Sequence, residues 1–261
     1  MKPEIGIQLR HRYDQLPAGL KHFMLYLSLF PKGYRINKKR LLYRWIAEGI
    51  VTDLKQGESL LELFESYLNE LVAKELVELD NVDNDGCTTC QVPGTMHNFL
   101  MSDAISQGFA CLVGSTATSS SYGGGDSKLA HLLSIHGNNP AAGLEGKDMS
   151  YLRSLSLFDP QDHHKLLDRL AEFTQLRMLD LEGCTAVEDR HVKLLCGLVQ
   201  LRYLSFNGTD ITMIPDEIGG LENLQKLSVN GTCLSCWALS LCSISLTRAR
   251  TPAVAHSLGI G

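Results

Sequence analysis

At 261 residues, with 44% apolar and 20% charged side chains, the chain has a globular composition and enough length for one large domain or two ordinary ones. Its 24 Lys and Arg against 29 Asp and Glu give a mild net charge of −5, which gives no reason to expect wholesale nucleic-acid binding. No apolar run approaches the ~20 residues of a membrane helix. Met1 leads into a polar segment with Arg10 and Arg12 rather than an apolar signal core, so a cytoplasmic protein is expected.

Eight cysteines in that setting predict reduced thiols. The pairs Cys87/Cys90 and Cys233/Cys236 have CxxC spacing, but neither has a histidine at ligand distance, so no metal site is expected.

In chain order, the first strong pattern is Leu16–Val51, which reads as two helices separated by a stop. Pro17 suits a first helical turn, and Leu20, Phe23, Met24 and Leu27 recur at helical spacing. Phe30 precedes Pro31, which disfavours continuation of the helix. Asn37 is placed to cap a second helix whose apolar face is Leu41, Leu42, Trp45 and Ile46, and Gly49 is placed to end it. A third helical pattern covers Glu58–Leu79. Its stripe is Leu60, Phe64, Tyr67 and Leu71, widened by Leu61, Leu68 and Val72, with Glu62, Glu65, Glu70 and Lys74 on the solvated side. The turn sequence Asp80–Gly86 predicts a hairpin, with Cys87–Val92 as its return strand. The triplet Met96-His97-Asn98 then opens a helix expected from Phe99 to about Ala110.

The Ser/Gly-rich stretch Gly114–Ser127 reads as a flexible linker. Beyond it the frame LxxLxL recurs at Leu152-Leu155-Leu157, Leu176-Leu179-Leu181, Leu201-Leu204-Phe206 and Leu224-Leu227-Val229, after a degenerate copy at Ala130-Leu133-Ile135. Successive starts lie 22, 24, 25 and 23 residues apart, the period of leucine-rich repeats. Cys184 and Thr209 fall at the Asn/Cys ladder position of such repeats. Each frame predicts one short parallel strand with its leucines turned into a solenoid core. The residues after the first leucine, Arg153, Arg177 and Arg202, followed by Gln225, then form a column expected on the concave face, with Tyr203 and Asp180 beside it. Two readings fit this column: a basic stripe for an acidic protein surface, or the Leu-Arg pairing common in leucine-rich repeats, which needs no partner. His163-His164 reads as a solvated pair in a loop. The tail 233–261 breaks the pattern, and two readings fit it: a cover over the last strand, or the end of a truncated chain.

The fold class expected is therefore α+β in two domains. Residues 1–113 form a mainly helical domain with a β-wing, which the resemblance that follows implies is a winged helix, 114–127 a linker, 128–232 a short leucine-rich-repeat solenoid, and 233–261 a non-repeat tail. Leu16, Pro17, Leu20, Lys21, the block 25–31, Ile36 and the block 45–51 resemble the winged-helix subdomain that closes the NB-ARC module of plant disease-resistance proteins, the nucleotide-binding leucine-rich-repeat receptors. Ile7, Leu9, Tyr13 and Asp14 are similar to the lead-in of that subdomain. Ile211, Ile214, Pro215, Ile218, Gly219, Leu221 and Leu224 resemble the convex segment of plant-type repeats.

The resemblance implies that Met96, His97 and Asn98 occupy the Met-His-Asp motif, whose histidine reaches the nucleotide's phosphates. Asn98 departs from that motif in losing its charge while remaining able to cap the helix. Changes at the aspartate often release autoinhibition in the family. ADP or ATP would belong to the complete module. The chain alone is expected to bind neither, because these residues contain no GxxxxGK[ST] phosphate loop. No catalytic constellation is present, so no enzyme is expected. The implied partners are proteins: a pathogen effector, a host guardee, or a receptor's nucleotide-binding domain. The competing readings are a DNA-binding winged helix using Lys32, Arg35, Lys38, Lys39, Arg40 and Arg44 around the second helix, and a degenerate receptor fragment with no activity of its own.

Overall fold

The structure is a computed structural model, and it describes residues 3–50, 59–80, 87–114, 131–137, 144, 147–158 and 164–234. The chain divides into two compact units, Met1–Ala110 and Cys111–Gly261.

In the first unit, helices α1 (Pro3–Asp14), α2 (Ala18–Tyr26), α3 (Lys38–Glu48), α4 (Leu60–Ala73) and α5 (Gly94–Ser106) accompany a small sheet. The punctuation read from sequence operates at α3. The Asn37 side chain accepts from Arg40 N at 3.1 Å, and Gly49 closes the helix in the left-handed region at φ 65°. Phe23 is fully buried at the centre of an aromatic cluster, with ring centroids 4.8 Å from Trp45, 5.1 Å from Phe64 and 5.3 Å from Tyr67. Leu41, Leu42, Leu68 and Leu71 complete the apolar interior, while Ile46 is only half-buried.

The third helix is shorter than its pattern. It starts from a capping box, in which Ser59 and Glu62 bond each other's backbone N–H, and it stops at Ala73 rather than continuing to Leu79. Leu76 N bonds Leu71 O at 3.0 Å and Glu75 N bonds Val72 O at 2.8 Å, with Glu75 at φ 55°. That is a Schellman end with glutamate where glycine is usual, held by Arg12 at 2.5 Å. Burial of Leu76 against the last turn favours closure there. Leu61, assigned to the apolar stripe, is exposed.

The freed residues make the wing. Strand β2 (Glu78–Asp80) pairs antiparallel with β3 (Thr89–Gln91), and β1 (Ile36–Asn37) joins the other side of β3 through Ile36↔Cys90 and Asn37↔Thr89. The turn assigned to Asp80–Gly86 lies, from residue 81, outside the described residues.

The second unit is built on a six-stranded parallel sheet in strict chain order: β4 (Cys111–Val113), β5 (Leu132–His136), β6 (Ser154–Phe158), β7 (Met178–Asp180), β8 (Tyr203–Ser205) and β9 (Lys226–Ser228). The middle leucines of the frames stand in register, Leu133↔Leu155↔Leu179↔Leu204↔Leu227. All five are buried in one apolar core with Ile211, Ile214, Ile218 and Leu221.

Two boundaries differ from the sequence reading. Strand β4 was assigned to the first domain but pairs Cys111↔Leu133 and Val113↔Ile135, so the parallel sheet begins before the predicted linker. Gly114, read as the start of that linker, is packed: a Cβ there would lie 1.7 Å from His136 O. The rest of the linker, Ala130 of the degenerate frame, and the tail from 235 lie outside the described residues.

Candidate functional site

Helix α5 starts five residues before the expected Phe99, because Pro93 occupies its N-cap. His97 is therefore inside the first turn, and its backbone N–H is already bonded to Pro93 O at 2.9 Å. Asn98 is exposed and caps nothing; Pro93 holds that position without a side-chain bond. The His97 ring is 2% exposed. Its Nε2–H donates to Phe30 O at 2.7 Å, which fixes the tautomer and leaves Nδ1 buried and without a hydrogen-bond partner among the described residues. Burial lowers the His97 pKa; the bond to Phe30 O opposes this, and the Lys32 ammonium adds to the lowering. The Lys32 stem lies over Gly94 at the helix start, where an added Cβ would meet Lys32 Cε at 3.1 Å. An unpartnered ring nitrogen, a lysine and an uncapped helix N-terminus form a neighbourhood that suits an anion.

The basic set invoked for DNA binding is largely used inside the unit. Arg44 is fully buried, donates from Nε to Tyr26 Oη at 3.1 Å, and lies 4.4 Å from the Phe30 ring centroid. Arg40 is 6% exposed and bonds Tyr34 Oη at 2.8 Å. Lys38 pairs with Glu65, and Arg35 with Asp80 at 3.5 Å. A recognition surface needs these cations in solvent, and Arg40 and Arg44 instead pack against aromatic rings.

In the second unit, Arg153, Arg177 and Arg202 do stack in register. Arg153 O accepts from Arg177 N at 2.8 Å and Met178 N at 3.0 Å; Arg177 O accepts from Arg202 N at 2.7 Å and Tyr203 N at 3.1 Å; Arg202 O accepts from Gln225 N at 2.8 Å. His131 begins the same column, its carbonyl accepting from Arg153 N at 2.8 Å. Each arginine immediately precedes its strand, however, so the column runs along the N-terminal edge of the sheet rather than over its face. Arg153 is exposed, and Arg177 and Arg202 are half-buried.

The other two residues assigned to that site are not available. Asp180 is 0% and Tyr203 2% exposed. Strand alternation places both on the face opposite the leucines, Asp180 between Ser156 and Ser205, and Tyr203 between Met178 and Lys226. Asp180 also accepts from Glu182 N at 3.3 Å.

Sequence reasoning missed a glycine column. Gly183, Gly208 and Gly231 each follow the last apolar residue of a frame by two positions and have φ of 75°, 64° and 67°. A Cβ on Gly208 would stand 3.8 Å from the Gly183 backbone, and one on Gly231 3.7 Å from Gly208 N. Asn207 ties these turns together: its Oδ1 accepts from Asn230 N at 2.9 Å and Ser228 Oγ at 2.8 Å. The 25- and 23-residue spacing of these glycines was the available signal. At the ladder position, Thr209 Oγ1 bonds Phe206 O at 2.7 Å, and Cys184 is buried.

His164 opens the short helix α6 (His164–Leu167) rather than lying in a loop, and His163 lies outside the described residues. Beside it, His191 of helix α7 (Asp189–Leu195) uses both ring nitrogens: Nδ1 accepts from Glu188 N at 2.9 Å and Nε2–H donates to Asp168 at 3.2 Å. Burial lowers its pKa. No group of three or more potential metal ligands occurs among the described residues. Burial pushes the Cys90 thiol up to about 12 and that of Cys184 to about 11. No helix among the described residues is long and apolar enough to cross a membrane.

Comparison with known proteins agrees with this geometry. Residues 29–100 match the family described as disease resistance protein winged helix domain, and residues 151–248 the family described as leucine-rich repeat region. The repeat match runs past 232, where the sequence frames end. The rice (Oryza sativa subsp. japonica) disease resistance protein Pik-2 is 34% identical over 226 residues, covering 84% of this chain and 21% of that protein. Rice disease resistance protein RGA4 is 35% identical over 225 residues, 85% of this chain and 21% of its own length. The probable disease resistance RPP8-like protein 2 of Arabidopsis thaliana is 29% identical over 219 residues, 83% of this chain and 24% of that protein. The chain thus spans about a fifth of the length of the curated relatives it matches. With a winged-helix match and a repeat match in the same order as the two units, the chain belongs to the plant disease-resistance protein family, over that family's winged-helix and leucine-rich-repeat portion.

Proposed function

We propose that the chain works in plant defence as the winged-helix and repeat portion of an immune receptor. The two units act as separate domains, the second a leucine-rich-repeat solenoid that binds protein and the first a docking block for a nucleotide-binding domain. The observation that supports this most is the succession, within one chain, of a wing-bearing helical unit and a leucine ladder in unbroken parallel register. The partners are a pathogen effector, a host protein under guard, or the nucleotide-binding domain itself, met in the cytoplasm. No catalytic step is assigned.

ADP or ATP belongs to the complete module. The residues present fit a phosphate in part: buried His97, with Nδ1 unpartnered among the described residues, and Lys32 beside it. A phosphate there would supply the negative charge that favours a protonated imidazole against its burial. Most phosphate contacts would come from a loop that this sequence does not contain.

Co-purification with a nucleotide-binding segment of a family member tests the reading. The pair should form a complex that retains ADP, His97→Ala should weaken retention, and the chain alone should not hold ADP. Tight ADP binding by the isolated chain, or no complex with any such segment, would contradict it.

A further inference from the structure

The sheet face opposite the leucines is hidden from water across β5 to β8. Ser134, Ser156, Asp180 and Ser205 form one cross-strand row, with Met178 and Tyr203 in the next, and none is more than 2% exposed. Side chains stand upright on a sheet, and serines are too short to screen a tyrosine or methionine beside them, so something lies on top. The connecting segments of the unit are not that cover. Leu167, Leu170, Val192, Leu195 and Ile218 pack with the leucines on the other side. Ser134, Ser156, Asp180 and Tyr203 are each engaged in further contacts.

We infer that this face is covered by a segment of the chain itself, residues 235–261, docked through Arg248 and Arg250 on Asp180. A carboxylate taken fully out of water demands a cation, and the hydroxyls of Ser156 and Ser205 beside Asp180 are neutral. Lys226, on the same face, is two strands away, while Arg169 and Arg190 pair with Glu172 and Asp168. Of the other stretches of this unit outside the described residues, 115–130 sets Lys128 against Asp126, 138–143 carries no charge, and 159–163 holds Asp159 and Asp162. Residues 235–261 contain Arg248 and Arg250 and no acidic side chain, with Trp237, Leu241 and Ile244 to meet Met178 and Tyr203. Guanidinium takes a carboxylate in a bidentate fork, which suits a buried pair. The reach is ample: Asp180 stands two strands, about 10 Å, from β9, and the chain from Leu234 to Arg248 can extend about 46 Å. While seated, the segment closes this face to another protein. That consequence rests on the reading that the repeats bind protein; the covering does not.

Hydroxyl-radical footprinting of the full chain, read by mass spectrometry, tests this. In the parent, Met178 should oxidise at least tenfold more slowly than Met213, which is 52% exposed. Arg248→Glu/Arg250→Glu should raise the rates at Met178 and Tyr203 several-fold and leave Trp45, buried in the first unit, unchanged. Arg248→Gln/Arg250→Gln should act in the same direction more mildly, and it serves where the reversed pair does not fold. In Asp180→Asn the same arginine exchange should change the rates far less, because the charge it answers is gone. Equal oxidation of Met178 and Met213 in the parent would show an open face and overturn the inference. Continued protection in a folded arginine variant would assign the cover to another part of the chain, and an undiminished effect in Asp180→Asn would remove the ion pair; either also overturns it. Footprinting reads the covering whether or not a protein partner binds, so its failure leaves the nucleotide-domain complex as a separate question.

Discussion

Gly208 and Gly114 separate two reasons for glycine in the repeat unit, and alanine at each should have a different cost. At Gly208, φ is 64°, and an added Cβ would stand 3.8 Å from Gly183, an ordinary contact. Only the left-handed backbone opposes the substitution, which amounts to about 1–2 kcal/mol. For a unit of this size that is a fall in melting temperature of about 3–8 °C. Gly208→Asn, which tolerates this region better, should recover part of the loss. At Gly114, φ is 80° and the Cβ would stand 1.7 Å from His136 O, a backbone atom that cannot rotate away. Strand β4 must then separate from β5, so Gly114→Ala should cost more than about 3 kcal/mol, in the range reserved for named structural disruptions. Urea titration by circular dichroism measures both. Equal losses, or a harmless Gly114→Ala, would refute the packing of β4 against β5 from which the difference is derived.

Phe23→Ala should destabilise the first unit by about 3–5 kcal/mol, read from its urea midpoint, since a fully buried ring among Trp45, Phe64 and Tyr67 leaves a cavity. Stability should fall as pH drops from 7 to 5.5. His191 and His97 have folded values below the ordinary 6.5, so the unfolded chain binds protons first; the stabilisation is complete above about 6.5 and is lost on acidification below it. His191→Gln should flatten part of that slope in matched urea titrations, because its ring faces Asp168, Glu188, Arg190 and His164 and cannot carry a second N–H toward Glu188 N. Asp189 acts in a lower window. Burial would raise its carboxyl, but hydrogen bonds from Thr212 and Met213 outweigh this and hold it below the ordinary value of 3.8, so its contribution is lost only as pH falls past that point. In thiol labelling at pH 8, exposed Cys233 should react first among the cysteines of the described residues, with Cys90 and Cys184 protected until urea unfolds the chain.

Much of this was legible because it is local or periodic. Asn37 and Gly49 carry capping chemistry in their own side chain and backbone freedom, and the leucine frames give register once their period is known. What was hidden depends on distant partners. Ile36–Asn37 is a strand only because Cys90 and Thr89 lie beside it. Helix α4 ends on a glutamate in the left-handed region, with no glycine or proline to announce the stop, because Arg12 and burial of Leu76 hold the turn. Strand β4 has cysteine and valine where the frame expects leucine and isoleucine, so its membership rests on pairing with β5.

The candidate sites show the same division. The arginine register was legible from spacing, but its place on the sheet edge, which depends on where each strand begins, and the burial of Asp180 and Tyr203 on the face opposite the leucines were not. His97 was found by its motif; that Pro93, not Asn98, starts its helix follows from the Pro-Gly pair that precedes it.

The ladder itself is open to direct measurement by backbone nuclear Overhauser contacts in the labelled chain. Parallel cross-strand contacts should link Leu155 to Leu179, Leu179 to Leu204, and Leu204 to Leu227. Sequential helical contacts over 176–181 and 201–206, or a register displaced by one residue, would contradict the account.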